Sequence, residues 1–250
     1  MMSDFRARWK GLGAFAMTEV RVQMHEFLSI MTSIVVQVIF IFFVAILSPS
    51  LLPFTIVGAM VFSVFTIGER VLNEAAYVRL DHKLNELYHA SPLTAESYFL
   101  GMGMGILFAY LPPVLFLAVL GEYVHPFSAL GALVLVSVLV ATWVFAASVG
   151  YILSTLFRDM RAIWPYSSLL FNVFGVLPPV FYPLSMLHGT FYQLALFLPP
   201  SAATALTMHT LGMLPLSSVD VLSAALSLAL ESFVLFAIAV TWARKASREA

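Results

Sequence analysis

Six stretches of this chain, at about 27–47, 51–68, 97–120, 128–156, 163–182 and 219–243, are predominantly apolar, and each is near the roughly 20 residues a helix needs to cross a bilayer. In hydrocarbon every backbone amide and carbonyl must find its partner inside the protein, so stretches of this length are read as helices. Hydrophobic residues make up 61% of the sequence and charged residues 10%, against about 25% charged in a soluble domain. Such a chain lacks the polar surface to cover itself in water. The fold class expected is an all-α polytopic membrane protein. The first apolar stretch follows 26 residues that carry charges, and no small-residue cleavage site comes after it, so it reads as a retained span and not as a signal peptide.

The basic residues give the spans a direction. Arg6, Arg8, Lys10 and Arg21 precede the first span; Arg70, Arg79 and Lys83 lie between the second and third; Arg158 and Arg161 between the fourth and fifth; Arg244, Lys245 and Arg248 after the sixth. These are all 12 lysines and arginines of the protein, and the alternate connections hold none. By the positive-inside rule both termini are expected in the cytoplasm, with an even number of crossings. The formal net charge of -1 argues against nucleic acid as a partner.

Residues 1–26 place Phe5, Trp9, Leu12 and Ala16 at helical spacing among charges, the pattern of an amphipathic helix lying in the headgroup region. Residues 69–96 form the one sizeable cytoplasmic connection, far longer than two neighbouring helices require. There Pro92 is expected to end a helix, and Thr94 to cap the third span with Glu96 near its positive end. The GMGMG run at 101–105 sets small residues four apart, a spacing for close helix packing. Pro178, Pro179 and Pro183 interrupt the apolar run near 182, and Pro199 and Pro200 follow within 183–218. Each proline removes a helical hydrogen bond, so the chain cannot run straight through lipid there, and broken backbone at membrane depth survives only inside protein or beside a wet cavity.

Three features together resemble the membrane subunit of a type-2 ABC exporter: the six-span layout, the segment KLNELYHASPLTAESYFLG leading into the third span, and GVLPPVFYPLSMLHGTFYQLALFLPPSAATALTMH. The last is similar to the family's P-V-F-Y-P stretch and its later Asn-Pro turn, with Leu198-Pro199 standing where many members have Asn-Pro. The resemblance implies a permease that moves a lipid, glycan or hydrophobic small molecule outward across the plasma (inner) membrane. It implies an outer re-entrant segment at 183–218 before the last helix, 219–243, and the cytoplasmic tail, 244–250. It also implies a coupling segment, with Asp81, Lys83, Leu84, Glu86, Leu87, Tyr88 and Ser91 meeting an ATPase subunit, and a second permease as homodimer or heterodimer partner. Two ATPase copies would bind ATP and Mg.

No Walker A loop is present: Lys10, Lys83 and Lys245 follow Trp9, His82 and Arg244, so no Gly-Lys-Ser/Thr cradle exists for phosphates. The chain is therefore expected to bind no cofactor itself and to have no catalytic residue. His25-Glu26 has no second histidine four residues on, which argues against a zinc site. The aspartates lie outside span centres, which argues against an intramembrane aspartyl protease. Among polar groups in the spans, Glu231 near the middle of the last one is the costliest to place in lipid. Together with Gln37, Asn172, Phe181 and Tyr182 it forms the set of candidate path residues. A secondary transporter or channel that needs no ATPase is the alternative reading; the internal inverted repeats that would favour it are not seen in the sequence.

Overall fold

A computed structural model describes residues 2–25, 27–80 and 94–249, and their regular structure is all helix, with no strand. The coupling-segment residues Asp81, Lys83, Leu84, Glu86, Leu87, Tyr88 and Ser91 lie outside the described residues. The helices are α1 (Met2–His25), α2 (Phe27–Leu47), α3 (Leu52–Phe65), α4 (Ile67–Leu80), α5 (Ala95–Ala109), α6 (Leu111–Val124), α7 (Ala129–Ser154), α8 (Met160–Val176), α9 (Thr190–Phe197), α10 (Pro199–Thr210) and α11 (Ser218–Glu249). Five segments among the described residues are long and apolar enough to cross a membrane: Ile30–Leu47, Pro49–Leu80, Ala95–Val124, Ala129–Ser154 and Ser218–Arg244. The protein is thus an all-α, membrane-embedded chain.

Element boundaries differ from the sequence expectation, most of all at the second and fifth apolar runs; the last helix also continues past 243 to Glu249. The second apolar run does not stop at residue 68. After a one-residue break at Thr66 it continues as α4, whose Val71, Leu72, Ala75 and Ala76 are buried in the bundle. The charges of Glu69, Arg70 and Glu74 made this stretch read as a connection, whereas its apolar residues recur at helical spacing and pack against α7 and α8. The fifth apolar run, expected to extend to 182, ends as a helix at Val176 and is 17 residues long. The prolines at 178 and 179 forbid another turn.

Caps mark several starts. Thr94 Oγ1 accepts from Ser97 N at 3.2 Å ahead of α5, with Glu96 in the first turn. Ser128 Oγ accepts from Gly131 N at 3.0 Å, and Asp159 Oδ1 from Arg161 N at 3.0 Å. Each satisfies an amide that the helix itself leaves open. Tyr110 separates α5 from α6, where Pro112 and Pro113 open the new helix.

In lipid, apolar burial does little to drive one helix onto another, so close packing must come from small residues and shape. The crossing of α4 with α7 shows this: a methyl added at Gly150 would lie 2.1 Å from the Gly68 carbonyl oxygen, and one added at Gly68 would lie 2.4 Å from the Ala146 oxygen. On α5, Gly101 and Gly105 receive α1, where methyls would meet Phe15 and Glu19 at 2.8 and 2.5 Å. Gly103, between them, faces α7 and accepts a hydrogen bond from Trp143 Nε1 at 3.1 Å. The GMGMG run therefore packs two helices at once. Leu12 and Ala16 of α1 are buried against α5.

The proline-broken parts are enclosed by protein. Pro178, Pro179, Val180 and Pro183 are buried, the Val180 carbonyl lies against Gly58 of α3, and Thr55 Oγ1 donates to Phe181 O at 3.3 Å. After a short turn of 3-10 helix at Leu184–Met186, α9 and α10 form a hairpin whose bend is Leu198-Pro199. α9 packs on α10 and α11, and α10 packs on α3, α7 and α11. Residues 199–208 of α10 are all buried. Ser227 Oγ reaches Phe197 O at 3.3 Å, which sets the bend nine residues, about 13 Å, along α11 from its start. At the other end of the hairpin, His125 Nε2 lies 3.0 Å from Leu211 O, tying it to the turn between α6 and α7.

Candidate functional site

A cleft of about 460 Å³ with a polar lining is walled by α2, by the α3–α4 break, by Tyr110 and by α8. Its volume falls in the ~300–1,000 Å³ range of small-molecule sites. α2 supplies Thr32 and Gln37; the break supplies Thr66, with Glu69 and Arg70 one turn on; α8 supplies Ser168 and Asn172.

The geometry follows from where the helices interrupt and what each polar group must satisfy. Gln37 Nε2 donates to Ser63 Oγ at 2.7 Å, and Ser63 Oγ donates to Ala59 O at 2.7 Å, so both side chains are bonded although buried. Thr66 Oγ1 donates to Ser63 O at 3.0 Å, and Glu69 N donates to Thr66 O at 3.1 Å, which carries the helix across the break. The Arg70 guanidinium stands 5.4 Å from the centre of the Tyr110 ring, a cation on an aromatic face. Among the described residues Asn172 Nδ2 donates only within α8, to Ser168 O at 2.7 Å and to Ser168 Oγ at 3.1 Å, and its side chain is exposed to the cleft.

An aromatic cluster closes one end. The Phe181 ring lies 4.9 Å from that of Phe40 and 5.5 Å from that of Phe62, and Phe62 also lines the cleft. From Phe62 to Arg70 is eight residues, about 12 Å of helix. The cleft therefore runs from an aromatic end to a charged one.

No protein-family model matches this sequence, and no curated protein matches it.

Of the candidate path residues, the fold brings Gln37 and Asn172 into one cleft and puts Phe181 at its end. Tyr182, half-exposed, donates to Leu177 O at 3.3 Å beside the proline turn. Glu231 is not among the cleft residues: it accepts from Ser227 at 2.6 Å on α11, near the bend of the α9–α10 hairpin. Pro178, Pro179 and Pro183 form the turn after α8, and Pro199 and Pro200 open α10. Sequence reading passed over Ser63, Thr66, Glu69, Arg70 and Tyr110. The signal for most of them was present, since polar residues recur at 63, 66, 69–70 and 73, the three-to-four spacing of one helix face.

In the first turn of α11, Asp220 Oδ2 accepts from Tyr192 at 3.0 Å and from Ser217 Oγ at 2.7 Å. Burial together with the neighbouring carboxylate pushes the Tyr192 phenol up to about 12, which keeps it a donor. Leu216 N donates to His209 Nδ1 at 3.1 Å. These groups fasten the hairpin to α11.

Proposed function

We propose that this chain is the membrane-spanning permease subunit of an ATP-driven exporter of the type-2 ABC class, with the polar cleft forming one wall of the path. The observation that carries the reading is the meeting of Gln37 and Asn172 with Glu69 and Arg70 in a single cleft. Polar side chains are costly in a bundle, and those that only join helices find partners across an interface, whereas among the described residues Asn172 bonds only within its own helix. The flanking surface of α2 is apolar and outward, with Phe42 and Phe43 at 60% and 56% exposure, and suits a second permease that would supply the facing wall. The cargo is a lipid, a glycan on a lipid, or a hydrophobic small molecule.

In this reading α8 is the fifth of six crossings, since 17 residues is the short end of the spanning range. With six, all the basic ends share the cytoplasmic face and both termini lie there. The segment 81–91 docks on a separate ATPase, which supplies ATP, Mg and hydrolysis. ATP-driven closure of two such subunits would rock α4 and α5, between which that segment lies.

The test is purification of the tagged chain from its own cells, with identification of any co-purifying ATP-binding-cassette subunit, beside a form in which residues 81–91 are a Gly/Ser linker. Recovery of the ATPase with the native chain and its loss with the linker is the expected result. Cargo movement by the purified chain with no ATPase would overturn the assignment in favour of a secondary transporter or channel.

A further inference from the structure

α8 separates two grooves of opposite character. Ile163, Ser167 and Phe171, buried at helical spacing, seat it on the bundle. Ser168 and Asn172 look into the polar cleft on one flank. On the other flank Leu72 of α4, Leu153 of α7, Phe157 of the turn after it, and Tyr166, Leu170 and Phe174 of α8 wall an apolar slot of about 350 Å³. From Tyr166 to Phe174 the slot follows eight residues of helix, about 12 Å.

Charge gathers at one end of this slot. Arg158 and Arg161 are exposed in and just after the turn that joins α7 to α8, beside Phe157 and one turn before Tyr166. Arg79, half-buried, donates to the carbonyls of Ser154 and Phe157 there. Among the described residues Asp159 is the carboxylate at this end, and its Oδ1 accepts from Arg161 N at 3.0 Å. Among the described residues this end thus holds three arginines and one aspartate. Trp164 and Tyr166, 68% and 59% exposed, flank the same mouth, and both residue types favour the headgroup level of a bilayer.

A free anion would satisfy the guanidiniums and leave the slot unfilled. A zwitterionic lipid would fill the slot and leave net positive charge at its mouth. An anionic phospholipid does both, with the phosphate among the arginines and an acyl chain along Leu170 and Phe174. We propose that the groove between α4, α7 and α8 is a binding site for one anionic phospholipid, drawn from the leaflet on the arginine side. The inference needs only the membrane embedding of the spans, and it stands or falls apart from the transport reading.

The test is native mass spectrometry of the purified full chain with dioleoyl phosphatidylglycerol and dioleoyl phosphatidylcholine at equal concentration. One phosphatidylglycerol is expected to be retained in roughly tenfold preference. The Arg158→Gln/Arg161→Gln double variant should abolish that preference while leaving the unfolding temperature in detergent unchanged. Leu170→Trp, which fills the slot, should release both lipids. Because that variant also alters packing, dihexanoyl phosphatidylglycerol serves as a second probe: with the same headgroup and short chains, it should be retained poorly by the native protein. Equal retention of the two dioleoyl lipids, unchanged preference in the double variant, or equal retention of the short-chain lipid would each overturn the proposal. So would self-cross-linking of Leu170→Cys in this cysteine-free chain, which would show a second copy seated in the slot.

Discussion

The amide of Gln37 donates to the hydroxyl of Ser63 at 2.7 Å, joining α2 to α3 through two buried side chains 26 positions apart. Asn172 faces the same cleft and, among the described residues, bonds only within α8. The two residues should therefore separate stability from function. Gln37→Leu leaves a buried hydroxyl short of a donor and should destabilise by about 0.6 to 1.7 kcal/mol, the range for interhelical hydrogen bonds in lipid. Asn172→Leu should leave the unfolding temperature unchanged and lower transport. Thermal unfolding in detergent and transport in vesicles check the pair, with Glu231→Gln, which keeps an acceptor for Ser227 outside the cleft, as the control expected to transport normally.

Gly150 and Gly68 set how closely α7 and α4 approach. In Gly150→Ala the new methyl would sit 2.1 Å from a backbone oxygen, which has no rotamer by which to move aside. The helices must separate, at a cost of at least about 1–3 kcal/mol. Gly13 in α1 has nothing within 4 Å of an added methyl, so Gly13→Ala should stabilise by roughly 0.5–1 kcal/mol. The yield of folded protein and its unfolding temperature should move in opposite directions in the two variants.

Glu19 predicts a pH dependence for the docking of α1. Burial against α5 raises its pKa above the ordinary 4.5, although the hydrogen bond from Gln23 at 3.0 Å pulls the other way. A carboxyl with a raised folded pKa binds more protons folded than unfolded, so its stabilising contribution is fully present below about 4.5 and is lost as pH rises through the folded value. Hydrogen exchange in α1 should slow as pH falls through that window, after correction for intrinsic rates. Glu19→Gln should remove the dependence and protect α1 at neutral pH.

Arg79 closes the end of α7 by donating to the carbonyls of Ser154 and Phe157. Charged hydrogen bonds of this kind contribute about 1.5–3 kcal/mol each. Arg79→Ala should loosen the 153–158 turn, seen as faster amide exchange there, and Arg79→Lys should rescue it only in part because a point charge cannot reproduce the fork.

How much of this was legible from the sequence can be judged residue by residue. The run from Phe27 to Leu47 is the helix that its length demands, and Thr94 with Glu96 opens α5 as their chemistry suggests. Gln37 and Asn172 stood out as polar groups in apolar runs. That they share a cleft did not, and Glu69 and Arg70 were read as part of a connection, because charge next to an apolar run looks the same whether the helix stops or turns a polar face inward.

Sequence alone determined that the chain is helical and embedded in lipid, because apolar length and backbone hydrogen bonding are local demands that permit no other solution. It also fixed where prolines forbid a straight helix. Only the tertiary structure decided which faces meet: the Gly68–Gly150 crossing, the burial of the α9–α10 hairpin, and the polar and apolar grooves on either side of α8. A helix in lipid is apolar on the outside as well as the inside, so hydrophobic pattern does not orient it, and its rotation is set by shape and by a few hydrogen bonds across the bundle.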